Sequence, residues 1–414
     1  MGTAIGTGIG TGTTGVSVTG LGATTPLGGD ATTTWQAMLR GENGIRALEE
    51  EWAAALPVRI AGRVRQDPAE ALDRVQARRM DRCEQLALVA AREAWADAGR
   101  PEVEPERLAV VIGTGTGGAL TLLGQDDVLE ASGVRKVSPH TVPMLMANGP
   151  AAWVSIELGA QGGAHTPVSA CASGGEALAL ALDLIRLGRA DVVVAGGTEA
   201  CVHPLPLAGF AQARSHSTRN DDPAAASRPF DAGRDGFVIG EGAGLVVLER
   251  AEFAAARGAR VYAQLAGAGV TSDAHHITAP HAPGQVRAVR AALAAAGLGP
   301  ADVALVHAHA TSTPAGDLVE ARSIAEAVGT HAAVTATKSM TGHLFGAAGA
   351  VGAIAAVRAV YEGVVPAVRN LEVPDPEIGL DVVAGAPRRM AVPAALANAF
   401  GFGGHNAALL FTAA

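Results

Sequence analysis

Short apolar runs alternate along this chain with longer segments of helical periodicity. The runs are rich in β-branched residues and end in Gly or polar residues, which is typical of buried strands. The predicted strands are Val16–Thr19, Leu108–Gly113, Asp191–Gly196, Gly244–Leu248, Val261–Ala266, Ala304–Ala308, Ala333–Ala336 and Ala407–Phe411. The predicted helices between them are Cys83–Ala98, Gly174–Leu187, Pro283–Ala296 and Ala315–Val328. This alternation predicts an α/β fold with buried, largely parallel sheets.

Two apolar segments are expected to lie inside the protein. Gly174–Leu187 is apolar nearly all round, as is typical of a helix packed between two layers. The run Leu344–Val357 spans about 14 residues, which is too short to cross a membrane, and its Gly and Ala favour a buried helix. The polar stretch Ser215–Asp235 is interpreted instead as a long surface loop that closes the first half of the chain.

The composition supports a layered fold and excludes several classes of protein. Of the 414 residues, 49% are hydrophobic but only 3% are aromatic, so the core must be built from Ala, Val, Leu and the 53 Gly by close backbone packing. A formal net charge of -9 with so few aromatic rings argues against a nucleic-acid binder. Three Cys cannot form a disulfide framework, so a reducing cytoplasm is the expected location.

The length predicts two domains or one duplicated fold. We divide the chain near residue 258 into the halves 16–258 and 259–414, which should share one interface because no Pro-rich or Ser-rich linker separates them. Residues 1–15 form a Gly/Thr tract without basic residues. They are expected to be a flexible leader and not a signal peptide.

The segment Val168–Gly175 places a cysteine where a strand turns through small residues into a helix. The free N–H groups at a helix N-terminus stabilise a nearby anion by about 0.3–1 kcal/mol, and by up to about 2 kcal/mol when partly buried. We expect this to lower the pKa of the Cys171 thiol and make it a nucleophile, although a small buried Cys explains the spacing equally well. Cys83 and Cys201 lack this setting and are expected to be packing residues.

Two His-containing loops in the second half are the candidate partners of that thiol. His309 stands in AHATSTP and His343 in KSMTGH, each after a predicted strand and before a helix. Side chains at such strand ends can converge on a ligand. Two His at matched positions, with Lys338 beside one of them, favour a catalytic role over a structural one.

Three further residues near these loops are assigned supporting roles. Asp317 and Glu320 lie one turn apart at the start of the following helix and are expected to pair with Lys338. His307 follows the alternation of a strand residue and is expected to be structural.

Three Gly-rich segments remain. In Asn398–Asn406 the glycines on both sides of Phe402 allow its ring and N–H to approach a substrate, although an ordinary turn between strands has the same composition. Gly10–Gly15 matches a dinucleotide-binding pattern but precedes a strand, so it is discarded. Gly113–Gly118 follows a strand, yet nothing else in the chain supports a nucleotide site there.

Together, Cys171 in SACASG, His309 in AHATSTP, Lys338 and His343 in KSMTGH, and the GFGGHN loop resemble a β-ketoacyl-acyl carrier protein synthase. The most similar type is the elongating synthase II of actinobacterial character. The resemblance extends from VTGLGATTPLG through SRPFDAGRDGFVIGEGAG to the last strand. It implies a thiolase-like α/β fold, which is a duplicated α-β-α-β-α arrangement of layers with mixed, largely parallel sheets.

The resemblance implies a decarboxylative Claisen condensation in fatty-acid elongation. Cys171 would take an acyl chain from a carrier-protein thioester, and the carbanion from malonyl-acyl carrier protein would attack it, giving 3-oxoacyl-acyl carrier protein and CO2. Neutral His309 and His343 would donate hydrogen bonds to the enolate, with Lys338 orienting them. The N–H groups of Cys171 and Phe402 would form the oxyanion hole. No metal or bound cofactor is implied, because the substrates are carried on the phosphopantetheine of acyl carrier protein.

The same resemblance implies roles in substrate binding. Phe402 would gate the acyl pocket, and Thr116 would lie at the far end of the acyl tunnel, where synthase II enzymes often carry Ile. The smaller side chain there is expected to deepen the tunnel or admit an unsaturated chain. The residues implied to contact the phosphopantetheine arm or the acyl chain are Thr311, Thr313, Thr278, His276 and Phe400.

Carrier-protein docking is implied for a set of basic residues. An acidic carrier and this acidic chain repel at long range, so docking must use local basic patches. Arg78 and Arg79 are expected to lie with Arg82 along one helix face. The other docking positions are Arg135, Lys136 and Arg214.

One departure from the family and one alternative affect the finer assignment. Gly352 stands where many synthases place a Glu near the Lys–His cluster, which puts the tuning of Lys338 in doubt. A degradative thiolase would need a second Cys late in the chain, and none follows Cys201. The alternative within the family is a ketosynthase subunit of a type II polyketide or polyene pathway. Such a subunit would pair with a chain-length factor, whereas the elongating enzyme would form a homodimer.

Overall fold

The computed structural model describes residues 14–414, so the leader predicted for residues 1–15 lies outside the described residues except at its last two positions. The strands are β1 (Val16–Thr24), β2 (Ile45–Ala47), β3 (Ile60–Gly62), β4 (Leu108–Gly113), β5 (Ala164–His165), β6 (Val192–Glu199), β7 (Gly242–Arg250), β8 (Ala263–Ser272), β9 (Leu305–His307), β10 (Ala333–Thr335), β11 (Val364–Val365), β12 (Asp381–Val382), β13 (Arg388–Arg389), β14 (Ala394–Gly401) and β15 (His405–Thr412).

The helices separate these strands, and short 3₁₀ turns complete the connections. They are α1 (Ala31–Leu39), α2 (Arg74–Ala77), α3 (Arg82–Asp97), α4 (Ala119–Ser132), α5 (Thr141–Leu145), α6 (Gly149–Leu158), α7 (Ser173–Arg186), α8 (Pro204–Gln212), α9 (Ala251–Ala256), α10 (Ala282–Ala296), α11 (Pro314–Ala327), α12 (Lys338–Thr341) and α13 (Ala348–Glu362). Each predicted strand and helix is present, with its ends shifted by a few residues. Strand β14 was not among the predicted strands.

The main sheet has the order β12-β10-β9-β14-β15-β8-β1-β7-β6-β4-β5. The second half adds the edge strand β12, and if the other five strands of each half are numbered along the chain, both halves have the same order, third-second-fourth-fifth-first, which is the signature of a duplication. The halves meet where β1 pairs with β8 over only two residue pairs, Ser17 with Gln264 and Val18 with Ala263.

Pairing within the sheet is mixed. The outer strands pair in parallel, whereas β7 with β1 and β6, and β15 with β8 and β14, pair antiparallel. The sheet therefore has as many antiparallel as parallel neighbours, which corrects the expectation of largely parallel sheets. The reason is local, because in each half the last strand returns beside strands that run in the opposite direction.

The two central helices α7 and α13 pack directly against each other between the halves. A Cβ on Gly174 would lie 2.7 Å from the Gly346 carbonyl oxygen, and one on Gly349 would lie 2.7 Å from the Gly175 nitrogen. Only glycine permits so close an approach of two backbones. This arrangement confirms that the segment predicted as apolar all round lies between layers.

The second apolar segment is also an interior helix. Phe345–Glu362 is the stretch within 14–414 that is long and apolar enough to cross a membrane by length and composition, and most of it is buried. It contributes Val351, Ile354 and Val357 to the core shared by both halves. Burial by the surrounding sheets therefore accounts for its composition.

The stretch Ser215–Asp235 is only in part the surface loop that was expected, because Asp221 and Asp222 are exposed but residues 226–231 are buried. Phe230 is 1% exposed, and Arg228 and Asp231 are buried beside it. Their charges are compensated inside the protein, because Arg228 Nε donates to Asp231 Oδ1 over 2.9 Å. A polar sequence is buried here since its charged groups find partners within the segment and in neighbouring loops.

Candidate active site

Cys171 lies on a strained turn immediately before the N-terminus of α7. Ala170 has a φ of 51°, a left-handed conformation that a non-glycine residue adopts only where the surroundings enforce it. The Ser173 hydroxyl fixes the turn by accepting from the Ser169 N–H (2.9 Å) and donating to the Ala170 carbonyl (2.7 Å). The structure therefore presents the thiol at a sharp turn into a helix, as the sequence predicted.

The protonation of Cys171 differs from the expectation. Burial raises the pKa of its thiol to about 12, against the lowering effect of the nearby Lys338 charge. Desolvation thus outweighs the helix terminus, and the resting group is a neutral thiol. Cys83 and Cys201 are free and buried as well, and burial raises the pKa of both thiols well above its usual value.

His309 lines the same cavity as the thiol and contacts Lys338. The Lys338 Nζ lies 3.4 Å from His309 Nδ1. Because an ammonium can only donate, Nδ1 accepts and the imidazole proton resides on Nε2. Burial and the Lys338 charge lower the pKa of His309 well below its usual value, so this ring is neutral.

His343 completes the cluster at right angles to His309. The two ring centroids are 5.3 Å apart with an interplanar angle of 87°. His343 also stacks on Phe345, with centroids 4.6 Å apart. Burial, with Lys338 next, lowers the pKa of His343 well below its usual value. The structure therefore brings together two neutral imidazoles and one lysine, as the spacing of the motifs predicted.

Asp317 and Glu320 lie near enough for both charges to raise the pKa of Lys338, but neither forms an ion pair with it within 4 Å among the described residues. Asp317 lies 3.8 Å from Arg234 Nε, and both carboxylates accept hydrogen bonds from the backbone. Glu320 accepts from the N–H groups of His309 (2.7 Å) and Ala310 (2.6 Å). The hydrogen-bonding needs of the two buried carboxylates are met by backbone N–H groups of this loop, so the carboxylates hold the His309 loop in place.

The turn between β14 and β15 approaches the cysteine closely. A Cβ on Gly401 would lie 2.5 Å from the Ser169 carbonyl oxygen and 3.1 Å from the Cys171 nitrogen. The N–H groups of Phe402 and Cys171 both act to lower the pKa of the thiol, after the larger effects of burial and charge. The close approach of Gly401 to the Cys171 nitrogen thus brings two backbone donors to the same end of the cavity.

A cavity of about 430 Å³ opens from this cluster to the surface. Its lining includes residues that the sequence assigned to the substrate, and the 42% exposed Phe402 lies at its mouth. These residues are Thr311, Thr313, Thr278 and Phe400. The Thr311 and Thr313 hydroxyls are 3.1 Å apart. The cavity is thus polar on the threonine side.

The opposite wall is aromatic, and sequence reasoning missed it. Phe210 stacks on Phe345 with centroids 5.3 Å apart, and Phe237 meets Phe345 edge-on at 5.6 Å. Three of the chain's 8 Phe are therefore gathered beside His343. The sequence offered one indication, which was the small number of aromatic residues. A chain with so few of them places them where the shape of a cavity depends on them.

Two residues that were predicted to bind the substrate, His276 and Thr116, do not line this cavity in the described part of the chain. His276 is exposed, and its Nδ1 accepts from the N–H groups of Thr278 (3.1 Å) and Ala279 (3.0 Å), so it caps a turn. Thr116 is also exposed, and its hydroxyl donates to the buried Glu199 over 2.7 Å. Both side chains are engaged by neighbouring protein groups.

The predicted docking residues are exposed but are not on one helix. Arg78 caps the short helix α2, Arg79 follows it, and Arg82 begins α3. Arg82 is unavailable, because it binds Glu241 bidentately at 2.8 Å. Arg135 and Lys136 form a 3₁₀ turn after α4, and Arg214 lies at the mouth of the cavity.

Solved structures with a similar fold include ketosynthases. A β-ketoacyl synthase from Burkholderia phymatum matches with a TM-score of 0.90 and 34% identity over 97% of this chain and 100% of that chain. The ishigamide ketosynthase/chain length factor matches with a TM-score of 0.90 and 31% identity over the same shares. The protein therefore has the thiolase-like ketosynthase fold.

Sequence comparison identifies the family. The β-ketoacyl synthase N-terminal domain matches residues 13–254 and the C-terminal domain residues 262–372. A 3-oxoacyl-[acyl-carrier-protein] synthase 2 of Mycobacterium tuberculosis is 48% identical over 96% of each chain. The enzyme of that name from Synechocystis is 46% identical over 96% of this chain and 97% of its own. The chain belongs to the β-ketoacyl synthase family.

Proposed function

We propose that this protein is a 3-oxoacyl-acyl carrier protein synthase that elongates fatty acyl chains. It condenses an acyl group with malonyl-acyl carrier protein and releases CO2. The observation that carries this function is the convergence of Cys171, His309, His343 and Lys338 at the inner end of one cavity. The same activity is named for relatives that align over almost the whole chain.

Cys171 carries the acyl group in this proposal. The buried thiol is neutral at rest, so its proton leaves as the sulfur attacks the thioester carbonyl. The bond from that carbonyl to the phosphopantetheine sulfur then breaks, and the departing sulfur takes up the proton as a free thiol. The attacking thiolate of Cys171 is stabilised by the Lys338 charge, and the oxyanion of the tetrahedral intermediate by the N–H groups of Cys171 and Phe402. Such a backbone donor contributes about 2.7–4 kcal/mol to transition-state stabilisation.

The two imidazoles serve the second half-reaction. Decarboxylation of the malonyl group leaves an enolate whose oxygen needs hydrogen-bond donors. His309 offers its Nε2–H, since Nδ1 is occupied by Lys338. Neutral His343 is perpendicular to it and faces the same space. The carbanion then attacks the acyl-enzyme carbonyl, the C–C bond forms, and the Cys171 thiolate leaves.

Intact-protein mass spectrometry tests this assignment. Incubation with a panel of acyl-acyl carrier proteins should add one acyl mass to the protein. The Cys171→Ala variant should add none, and the Cys201→Ala variant, which removes another buried thiol, should still be acylated. Acylation of Cys171→Ala would contradict the assignment of the nucleophile.

The substrate reaches the thiol through the mouth of the cavity. Thr311 and Thr313 hold the phosphopantetheine arm in this proposal, Phe402 gates the entry, and no bound cofactor takes part. The exposed Arg78, Arg79, Arg135, Lys136 and Arg214 receive the acidic acyl carrier protein. The reaction takes place in the cytoplasm, where the free thiols stay reduced.

The functional unit is proposed to be a homodimer. Between β4 and α7 the surface carries exposed apolar side chains, which on a stable monomer would be an aggregation hazard. They are Leu122, Leu129, Val134, Val142, Ile156 and Val168. The two-residue edge strand β5 lies beside them and is open to pairing with a second copy.

A role in a type II polyketide pathway, with a chain-length factor in place of the second copy, is the second candidate. It is favoured by the match to the ishigamide ketosynthase/chain length factor. Light scattering and activity of the purified chain distinguish the two. A dimer that condenses fatty acyl groups alone supports the first, whereas a chain that is active only with a homologous subunit supports the second.

A further inference from the structure

His307 is a buried imidazole close to the proposed site that the reaction above does not use. It is the last residue of β9, paired in register with Thr335 of β10 and Ala397 of β14. The side chain is 2% exposed. Burial and the Lys338 charge lower the pKa of His307 to about 3, so the ring is neutral at all physiological pH values.

The ring of His307 fills the space beside Gly352 on α13. A Cβ at position 352 would lie 2.8 Å from His307 Cε1 and 2.9 Å from Nδ1. Both distances are shorter than any normal carbon contact, and the ring is enclosed by strands on both sides. The imidazole and a side chain at 352 therefore exclude each other.

The other edge of the ring contacts the residue before Lys338. His307 Nε2 lies 2.9 Å from Thr337 Oγ1. The Thr337 carbonyl in turn accepts from the N–H groups of Met340 (2.9 Å) and Thr341 (3.1 Å), so this residue begins the short helix that carries Lys338. The position of Thr337 thus determines where the lysine side chain starts.

The two ring nitrogens of His307 differ in their surroundings, and this fixes the ring as a hydrogen-bond donor to Thr337. Its Nδ1 is buried and has no partner among the described residues. An unpaired N–H at that position would cost about 1–3 kcal/mol, so the proton resides on Nε2 and is donated to Thr337 Oγ1. The unprotonated Nδ1 therefore lies against Gly352 of α13.

We propose that His307 is a positioning residue that sets Lys338 against His309 through Thr337, and that Gly352 is glycine because this ring requires the space. The pair 307/352 acts as one unit. This inference rests on the proposed roles of Lys338 and His309 in the condensation. It explains the departure at Gly352 noted in the sequence, because the space beside the helix is occupied by an imidazole from the facing strand.

A double-mutant cycle tests the exclusion between the two positions. Gly352→Ala should lower the condensation rate about 100-fold, because displacement of the ring misplaces Lys338 by a fraction of an ångström or more. His307→Asn should lower it less, and the double variant should match His307→Asn within about twofold, since the added methyl then meets no ring. Losses that multiply in the double variant would overturn the exclusion. If Gly352→Ala does not fold, recovery of folding in the double variant is the supporting result and continued misfolding the contrary one.

A second pair of variants tests the positioning role. Thr337→Val keeps the shape but removes the hydroxyl, whereas Thr337→Ser keeps it. Condensation should fall more than acylation of the cysteine in the first variant, because His309 serves only the condensation, and both should be retained in the second. The melting temperature of Thr337→Val should fall, since the His307 N–H is left buried and unpaired. Equal fractional losses of acylation and condensation in Thr337→Val would show a merely structural contact. A parent protein that is not acylated at all would contradict the proposed function instead, so the two failures are distinguishable.

Discussion

The ammonium of Lys338 lies 3.4 Å from His309 Nδ1, and this contact sets the direction in which His309 can donate a proton. The neighbouring carboxylate of Glu320 is turned toward the backbone of the His309 loop. Lys338 is therefore held by a neutral partner in a buried site. This makes its protonation the most pH-sensitive element of the cluster.

The condensation rate is expected to fall as the pH rises through about 8. Burial lowers the pKa of Lys338 to about 8, with Glu320 opposing the shift. Above that value the ammonium loses its positive charge, so its hydrogen bond to His309 weakens and it no longer stabilises a thiolate on Cys171. A pH profile of kcat for condensation measures this limb.

The Lys338→Arg variant is the control for that limb. A guanidinium stays charged to a pH above 12, so the variant should lose activity overall but have no alkaline limb before it unfolds. An unchanged limb in Lys338→Arg would assign the titration to another group.

Gly401→Ala is expected to lower kcat on the order of 100-fold. The new methyl would lie 2.5 Å from the Ser169 carbonyl oxygen, so the strand must move away from the cysteine and take the Phe402 N–H with it. Loss of one oxyanion donor has about this effect. Gly379→Ala is the matched control, since a Cβ there meets nothing within 4 Å. Comparable rates for the two variants would contradict a catalytic role for the turn.

Glu199 is expected to be a major contributor to stability. Its buried carboxylate accepts from the N–H groups of Gly115 (2.8 Å) and Gly346 (3.1 Å) and from the Thr116 hydroxyl (2.7 Å). Glu199→Ala leaves these donors buried and unpaired, which should lower the free energy of unfolding by about 3 kcal/mol or more. Thr116→Val removes one of the bonds and should cost about 1 kcal/mol. Urea denaturation measures both, and equal effects would count against the network.

Charge reversal at Arg78 and Arg79 should raise KM for acyl carrier protein while leaving KM for a small pantetheine thioester nearly unchanged. Both side chains are exposed, so the change acts on docking and not on folding. Arg189→Glu is the control, because it reverses an exposed charge just before β6 begins, at the end of that strand away from Glu199. The docking assignment fails if the three reversals raise KM for the carrier alike.

Much of the fold was predictable from the sequence because its buried strands and helices carry unbroken apolar patterns. Strand β14 was not predicted, since its Ala, Asn and Gly residues have low strand propensity and become a strand only by pairing with β9 and β15. The segment 215–235 was misplaced for a related reason. Its charges look exposed until the partners that bury them are known.

The grouping of Cys171, His309 and His343 around one cavity was predictable because the chemistry of such a site restricts the residue type. The protonation of Cys171 was not, since a motif reports the helix terminus but not how completely the thiol is desolvated. The partners of Asp317 and Glu320 were missed because backbone N–H groups, which bind them here, leave no mark in a sequence.

The duplicated halves also determine when the cysteine becomes reactive. During translation Cys171 is synthesised with the first half of the chain, whereas His309, Lys338 and Phe402 all belong to the second half. A chain that lacks the second half therefore lacks the groups that surround the thiol in the folded protein. Under the proposed function, acyl transfer can begin only after the last hairpin, β14–β15, has closed over the turn that holds the sulfur.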